Sequence, residues 1–118
     1  MKYKITADRK QVRIIQRALN FYFRSYLGQL DLFHHDISYD DSMMLEGMLQ
    51  HLMGLSRGES YGIHSKKIDD EARNACDIHD VIRHQMWKDN PNARDYTVDA
   101  YPPMSKGVYE LPEIEHED

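Results

Sequence analysis

A chain of 118 residues with 41% hydrophobic and 30% charged residues has the composition of one globular domain, not of a disordered segment. Its charge-free stretches fall far short of the roughly 20 apolar residues of a membrane span, and the basic opening MKYKITADRK leads into no signal-type apolar core. Cys76 is the single cysteine, which excludes an internal disulfide and a multi-cysteine zinc knuckle, so the expected setting is the reducing cytoplasm.

The net charge of -5 is unevenly spread. Residues 1 to 27 carry Lys2, Lys4, Arg9, Lys10, Arg13, Arg17 and Arg24 against Asp8 alone, about +6, which leaves about -11 for the rest. General coating of nucleic acid needs broad positive potential and does not suit this balance, whereas a local anion site does.

Residues 2 to 6, KYKIT, alternate with the period of a strand that buries one face. From Arg9 to Leu27 the period changes: Val12, Ile15, Leu19, Tyr22, Phe23 and Tyr26 recur at helical spacing, and Gly28 follows as a left-handed stop. Residues 29 to 40 read as an irregular connection. A second helix, capped by Asp41 or Ser42, carries Met44, Leu45, Met48, Leu49, Leu52 and Leu55 and ends near Arg57-Gly58. GESYGIHSKK, residues 58 to 67, is a loop.

A third helix is expected from about Ile68 to Asp89, with Ala72, Ala75, His79, Ile82 and Met86 on its apolar stripe and Pro91 ending it. YTVDAY, residues 96 to 101, alternates as a second strand before Pro102-Pro103, and residues 104 to 118 read as an extended acidic tail. A lone strand cannot satisfy its backbone groups, so the two strand candidates are expected to pair. The predicted fold is mainly α: a single domain, residues 1 to 118, with a three-helix core and a small two-stranded antiparallel β element.

Several residues invite a functional reading. Lys10, Arg13, Arg17, Asn20 and Arg24 share one stripe of the first helix; such a stripe is either a solvated face or a recognition surface for phosphate or carboxylate, which arginine's planar fork contacts with two parallel hydrogen bonds. Ile14, Ala18 and Phe21 form an additional apolar face on that helix, to be covered by other elements or by a partner, with a homodimer the favoured occupant. In the loop, Tyr61 and His64 can stack on a ring, while Ser65, Lys66 and Lys67 precede the positive end of the third helix; an ordinary capped loop explains them as well.

The seven histidines do not assemble a metal motif: HExxH is absent, and His34-His35 diverge in any regular element. Asp80 and His84 share a helix face and suit a surface pair better than a metal site, Arg73 and Asp77 suit an intrahelical ion pair, and His79 suits a core histidine with a polar partner. No metal or other cofactor is expected, and no catalytic residue is assigned. Cys76, at the edge of the buried stripe, has no nucleophile pattern around it.

The segment ACDIHDVIRHQMWKDN followed by YTVDAYPP resembles a family of small bacteriophage and prophage proteins, through Ala75, Asp77, Ile78, Val81, Ile82, Arg83, His84, Gln85, Trp87, Thr97, Val98 and Asp99, and RALNFYFRSYLGQ looks similar too. The resemblance implies a phage gene expressed in a bacterial cytoplasm, with binding to host factors or defence systems as the class tendency, and it supplies no catalytic residue. The leading expectation is therefore a non-catalytic protein that binds a host or phage macromolecule. The alternatives are a small-molecule binder that sequesters an anion such as a nucleotide through Arg13, Arg17, Arg24 and the Tyr61 to Lys67 loop, and a metal-assisted hydrolase using Asp80, His84 and another histidine.

Overall fold

In the computed structural model, residues 1–32, 35–93 and 100–117 are described. Three helices follow one another in the chain: α1 (Arg9–Leu27), α2 (Tyr39–Leu52) and α3 (Asp70–Asp89), with a short 3-10 turn at Pro91–Ala93 after the last. No helix is long and apolar enough to cross a membrane.

Each start is fixed by a capping side chain that accepts an otherwise orphaned N–H. Asp8 accepts from Gln11 N and receives the Gln11 side chain on its own N–H, a reciprocal capping box; Ser38 accepts from Asp41 N, and Asp69 from Ala72 N. The predicted bounds of α1 agree with the structure, and Gly28 does stop it, with φ of 86° and its N–H donating to the carbonyls of the last turn. A β-carbon at Gly28 would also lie 2.8 Å from Leu55 Cδ1, so this residue serves both the turn and the packing of the chain after α2.

The core lies between α1 and α3, the one helix pair with extensive contact. Phe23 and Leu27 from α1 meet Ala75 and Cys76 from α3 and Ile68 just before it, while Tyr61 and Ile63 from the intervening loop pack against them. Ala72, fully buried, and Ala75 bring little bulk to the contact and so allow the two backbones to approach. His79 is the core histidine anticipated from its position: its ring sits edge-on to Phe23 at 5.4 Å and its Nδ1 is 3.0 Å from Asp80 Oδ1.

Two expectations are corrected. The two-stranded β element is not seen: no strand occurs among the described residues, and residues 1 to 6 have no regular structure and are exposed, Tyr3 and Ile5 included. An alternation of five residues becomes a strand only when a neighbouring segment supplies hydrogen bonds and apolar cover, and among the described residues none is hydrogen-bonded to it as a strand. Within the second strand candidate, residues 96–99 fall outside the described residues, and Tyr101 is exposed.

The other correction concerns α2. Its apolar positions Met44, Leu45, Met48 and Leu52 are exposed instead of joining a common interior, and Gln50 is its sole buried residue. The helix is fastened to the rest by polar groups: Gln50 Nε2 donates to Gly28 O (3.0 Å), Gln50 Oε1 accepts from Gly58 N (2.8 Å), and Glu46 Oε2 accepts from Leu30 N (2.9 Å).

Candidate functional site

The exposed side of α1 assembles two groups of residues that the periodicity had separated. At 100° per residue Lys10, Ile14, Arg17, Ala18 and Phe21 fall within one arc of the helix, opposite Leu19 and Phe23, which turn to the core. Ile14 is 63% exposed, and Arg17, Ala18 and Phe21 are exposed beside it. The Phe21 ring lies 6.1 Å from that of His35. Arg13 is half-buried at the edge of the arc. An apolar strip bordered by guanidinium and ammonium groups therefore runs along a well-formed helix.

Arg24 is occupied differently. Its Nε donates to Asn20 Oδ1 (2.8 Å) and its Nη1 to Gln29 Oε1 (2.7 Å), while Asn20 Nδ2 donates to Asp31 Oδ2 (2.7 Å), so the end of the basic stripe organises the turn after α1.

The loop residues proposed for an anion have structural partners. Tyr61 is half-buried; its N–H donates to Leu27 O (2.8 Å) and its hydroxyl to Met53 O (3.1 Å), which ties the ends of α1 and α2 to the loop. Ser65 accepts from Lys67 N through its hydroxyl (3.1 Å), and its carbonyl, with that of Ile63, receives the Arg73 guanidinium. His64 and Lys66 are exposed. At a rise of about 1.5 Å per residue, Arg17 stands roughly 15 Å along α1 from Leu27, where the loop attaches, so Arg17 does not converge with the loop on one ligand; Arg24 alone borders a cavity with the loop residues Gly58 and Ser60.

A second constellation was not legible as such. Asp77, with 0% exposure, and Asp80, with 9%, stand on the side of α3 that the sequence assigned to solvent. The segment after residue 100 folds back over them: Lys106 N donates to Asp77 Oδ1 (3.1 Å), Lys106 Nζ lies 2.6 Å from Asp80 Oδ2, and the Ser105 hydroxyl donates to Tyr109 O (2.7 Å) while lying 3.4 Å from Asp77 Oδ2. Arg83 Nη2 is 3.4 Å from Asp80 Oδ1. Asp77 thus pairs with the C-terminal segment and not with Arg73, which instead binds Asp70 (3.1 Å), and Asp80 does not pair with His84, whose ring stacks on Trp87 at 5.7 Å.

Electrostatics distinguishes the two carboxyls. Burial raises the Asp77 carboxyl above its ordinary value, against the opposing hydrogen bond and charge of Lys106. Asp80 is also desolvated, but hydrogen bonds from His79 and Lys106 and the charges of Lys106 and Arg83 outweigh that and hold it at about 2. The same anion, added to burial, pushes the Cys76 thiol up to about 11. A thiol so placed is almost wholly protonated at neutral pH and is a poor nucleophile. Ellman's reagent is expected to label Cys76 in the native protein no faster than global unfolding allows; rapid stoichiometric labelling without denaturant would contradict this burial.

Among the described residues no three His, Cys, Asp or Glu side chains are placed to hold a metal ion. The Asp77–Asp80–Lys106 cluster closes on itself, each charged group facing another from the same chain, so its chemistry is that of a clamp for the C-terminal segment. No family model matches the chain, and neither the curated proteins nor the solved structures give a match.

Proposed function

We propose that the chain is a non-catalytic binding protein that meets an acidic surface of a host or phage macromolecule with the exposed side of α1. The observation that carries this reading is the juxtaposition of exposed Ile14 and Phe21 with Arg17 and Lys10 on a single helical face. Interfaces are enriched in aromatic residues and arginine at their centres, and a cationic border selects an acidic partner and speeds encounter with it. The resemblance of the α3 segment to small phage proteins supports an infected bacterial cytoplasm as the setting and a host defence factor as one such partner. The competing anion-sequestering reading is weakened by the commitments of Arg24 and Tyr61 to neighbouring backbone and side chains.

Two glutamates introduced as Ile14→Glu and Phe21→Glu are expected to lower affinity for the partner at least a hundredfold while leaving the helical circular dichroism unchanged, because both side chains are exposed. Arg17→Glu is expected to cost about tenfold, mostly in association rate and with a reduced salt dependence. The measurement is quantitative capture of proteins from infected host lysate on the immobilised wild-type and variant chains. Retention of the same species by the double glutamate variant would remove α1 from consideration, and a rise in melting temperature with nucleotides but not with protein fractions would favour the sequestering alternative.

A further inference from the structure

Where the end of α1, the middle of α2 and the start of the 58–67 loop meet, they leave an open cleft of about 410 Å³ bordered by Arg24, Gln29, Asp31, Glu46, Gln50 and Ser60. That volume falls in the lower part of the range of small-molecule sites, about 300–1,000 Å³. Gln50 is fixed, its buried amide spent on Gly28 O and Gly58 N. Two charged groups beside it are only partly used. Arg24 is half-buried and commits Nε to Asn20 and Nη1 to Gln29, which leaves Nη2 donating to no described residue. Glu46, half-buried on α2, accepts from Leu30 N with Oε2 (2.9 Å), and its Oε1 accepts from no described residue. Both border the cleft, yet no ion pair joins them. The Ser60 hydroxyl accepts from Gln29 Nε2 (3.2 Å) and keeps its own proton to donate.

We infer that this cleft binds a small zwitterion of the α-amino acid class, with its carboxylate on Arg24 Nη2, its ammonium on Glu46 and a polar side chain toward Ser60 and Gln29. Opposite charges that share a cleft without touching are complemented by a solute that carries both. A simple anion meets the carboxylates of Glu46 and Asp31 there, and a simple cation meets the guanidinium, so neither is matched. Partial burial strengthens each pairing that the ligand supplies, and a hydrogen bond between guanidinium and carboxylate is among the stronger kinds. Arg24 and Gln29 belong to α1 and its turn and Glu46 to α2, so the ligand bridges the polar seam by which α2 is attached, and its binding steadies that helix. Lys10, Ile14, Arg17 and Phe21 lie outside the cleft, which makes this a separate site from the α1 face.

NMR titration of the full chain with glycine, serine, asparagine and glutamine, and separately with acetate and methylammonium, tests the proposal. At least one of the amino acids is expected to shift the amide resonances of residues 28–31 and 58–60 saturably, with half-saturation below about 10 mM, and to slow amide exchange across residues 39–52. Acetate and methylammonium are expected to do neither. Glu46→Gln keeps an acceptor for Leu30 N while removing the charge, and should weaken amino acid binding about tenfold. Ser60→Ala, at an exposed position, keeps the question open to measurement even if Glu46→Gln disturbs the attachment of α2: it should weaken serine, asparagine and glutamine relative to glycine. No saturable shift from any of the four at about 20 mM overturns the proposal. So does acetate that binds as well as the amino acids, which would make the cleft an anion site, or amino acid binding indifferent to both substitutions.

Discussion

Asp80→Ala is expected to lower the stability of the fold by about 3 kcal/mol and to release the segment beyond residue 100 from α3. The residue is 9% exposed and its carboxylate is the common anion for Lys106, Arg83 and His79. Removing one member of a largely buried charged network leaves the others desolvated without a partner, which costs roughly 3–5 kcal/mol where burial is complete and less at Lys106, whose side chain is 24% exposed. Urea denaturation gives the loss, and limited proteolysis between residues 100 and 117 reports the release. A variant within about 0.5 kcal/mol of wild type, with its C-terminal segment still protected, would show that the cluster is not a clamp.

The pH dependence of the same site has a definite sign. Asp80 is held at about 2, below its ordinary 3.8. A depressed folded-state value stabilises the native protein above the unfolded value, and that stabilisation is lost as pH falls from about 4 towards 2. The difference corresponds to about 2 kcal/mol. Asp77, raised by burial, works in the opposite sense, since protonation relieves its desolvation. Lys106 is raised despite its own burial by its contact with Asp80, so its contribution persists through neutral pH and is lost only as pH rises past the ordinary lysine range. Acid titration of wild type against Asp80→Asn is therefore expected to show the two stabilities converging below pH 4, with the gap restored above it.

Gln50→Ala is expected to detach α2 while α1 and α3 remain paired. The amide is 2% exposed and has one function in each direction, donating to Gly28 O and accepting from Gly58 N. Truncation leaves both backbone groups short of a partner and opens a void beneath the helix, together about 2–3 kcal/mol. Met43, Met44, Leu45, Met48 and Leu52 of α2 are exposed and only Leu49 is half-buried, so little hydrophobic contact compensates. Amide exchange in residues 39–52 is expected to accelerate on the order of a hundredfold while that of α3 changes little. Uniform acceleration through all three helices would show that α2 is integral to a single cooperative core.

The location of the α1 arc and of the α2 face follows from how few apolar residues this chain needs inside. Phe23, Leu27, Ile68, Ala75 and Cys76, supported by Tyr61 and Ile63, fill the α1–α3 contact. Once that contact is closed, Ile14, Phe21, Met44 and Met48 have no interior left to enter. Exposed apolar side chains in ordered helices, bordered by charges, are the kind of surface through which proteins meet other molecules, and the proposed role of α1 rests on that.

Local chemistry determined much of the structure without help from the fold. The helical period of Arg9–Leu27 and the glycine after it set the bounds of α1, and the stripe of Ala72, Ala75, His79, Ile82 and Met86 set the buried side of α3, because helix geometry and end effects depend on residues at most four apart. Tertiary structure decided what the period could not. Whether the apolar side of α2 is inside or outside depends on which neighbours already fill the core. Whether KYKIT becomes a strand depends on a partner segment distant in the chain, and among the described residues it has none. Asp77 and Asp80 were read as solvent-facing because their covering, Ser105 and Lys106, lies more than 20 residues away. Burial is a property of what comes to lie over a residue, and contacts between distant segments leave no periodic trace along the chain.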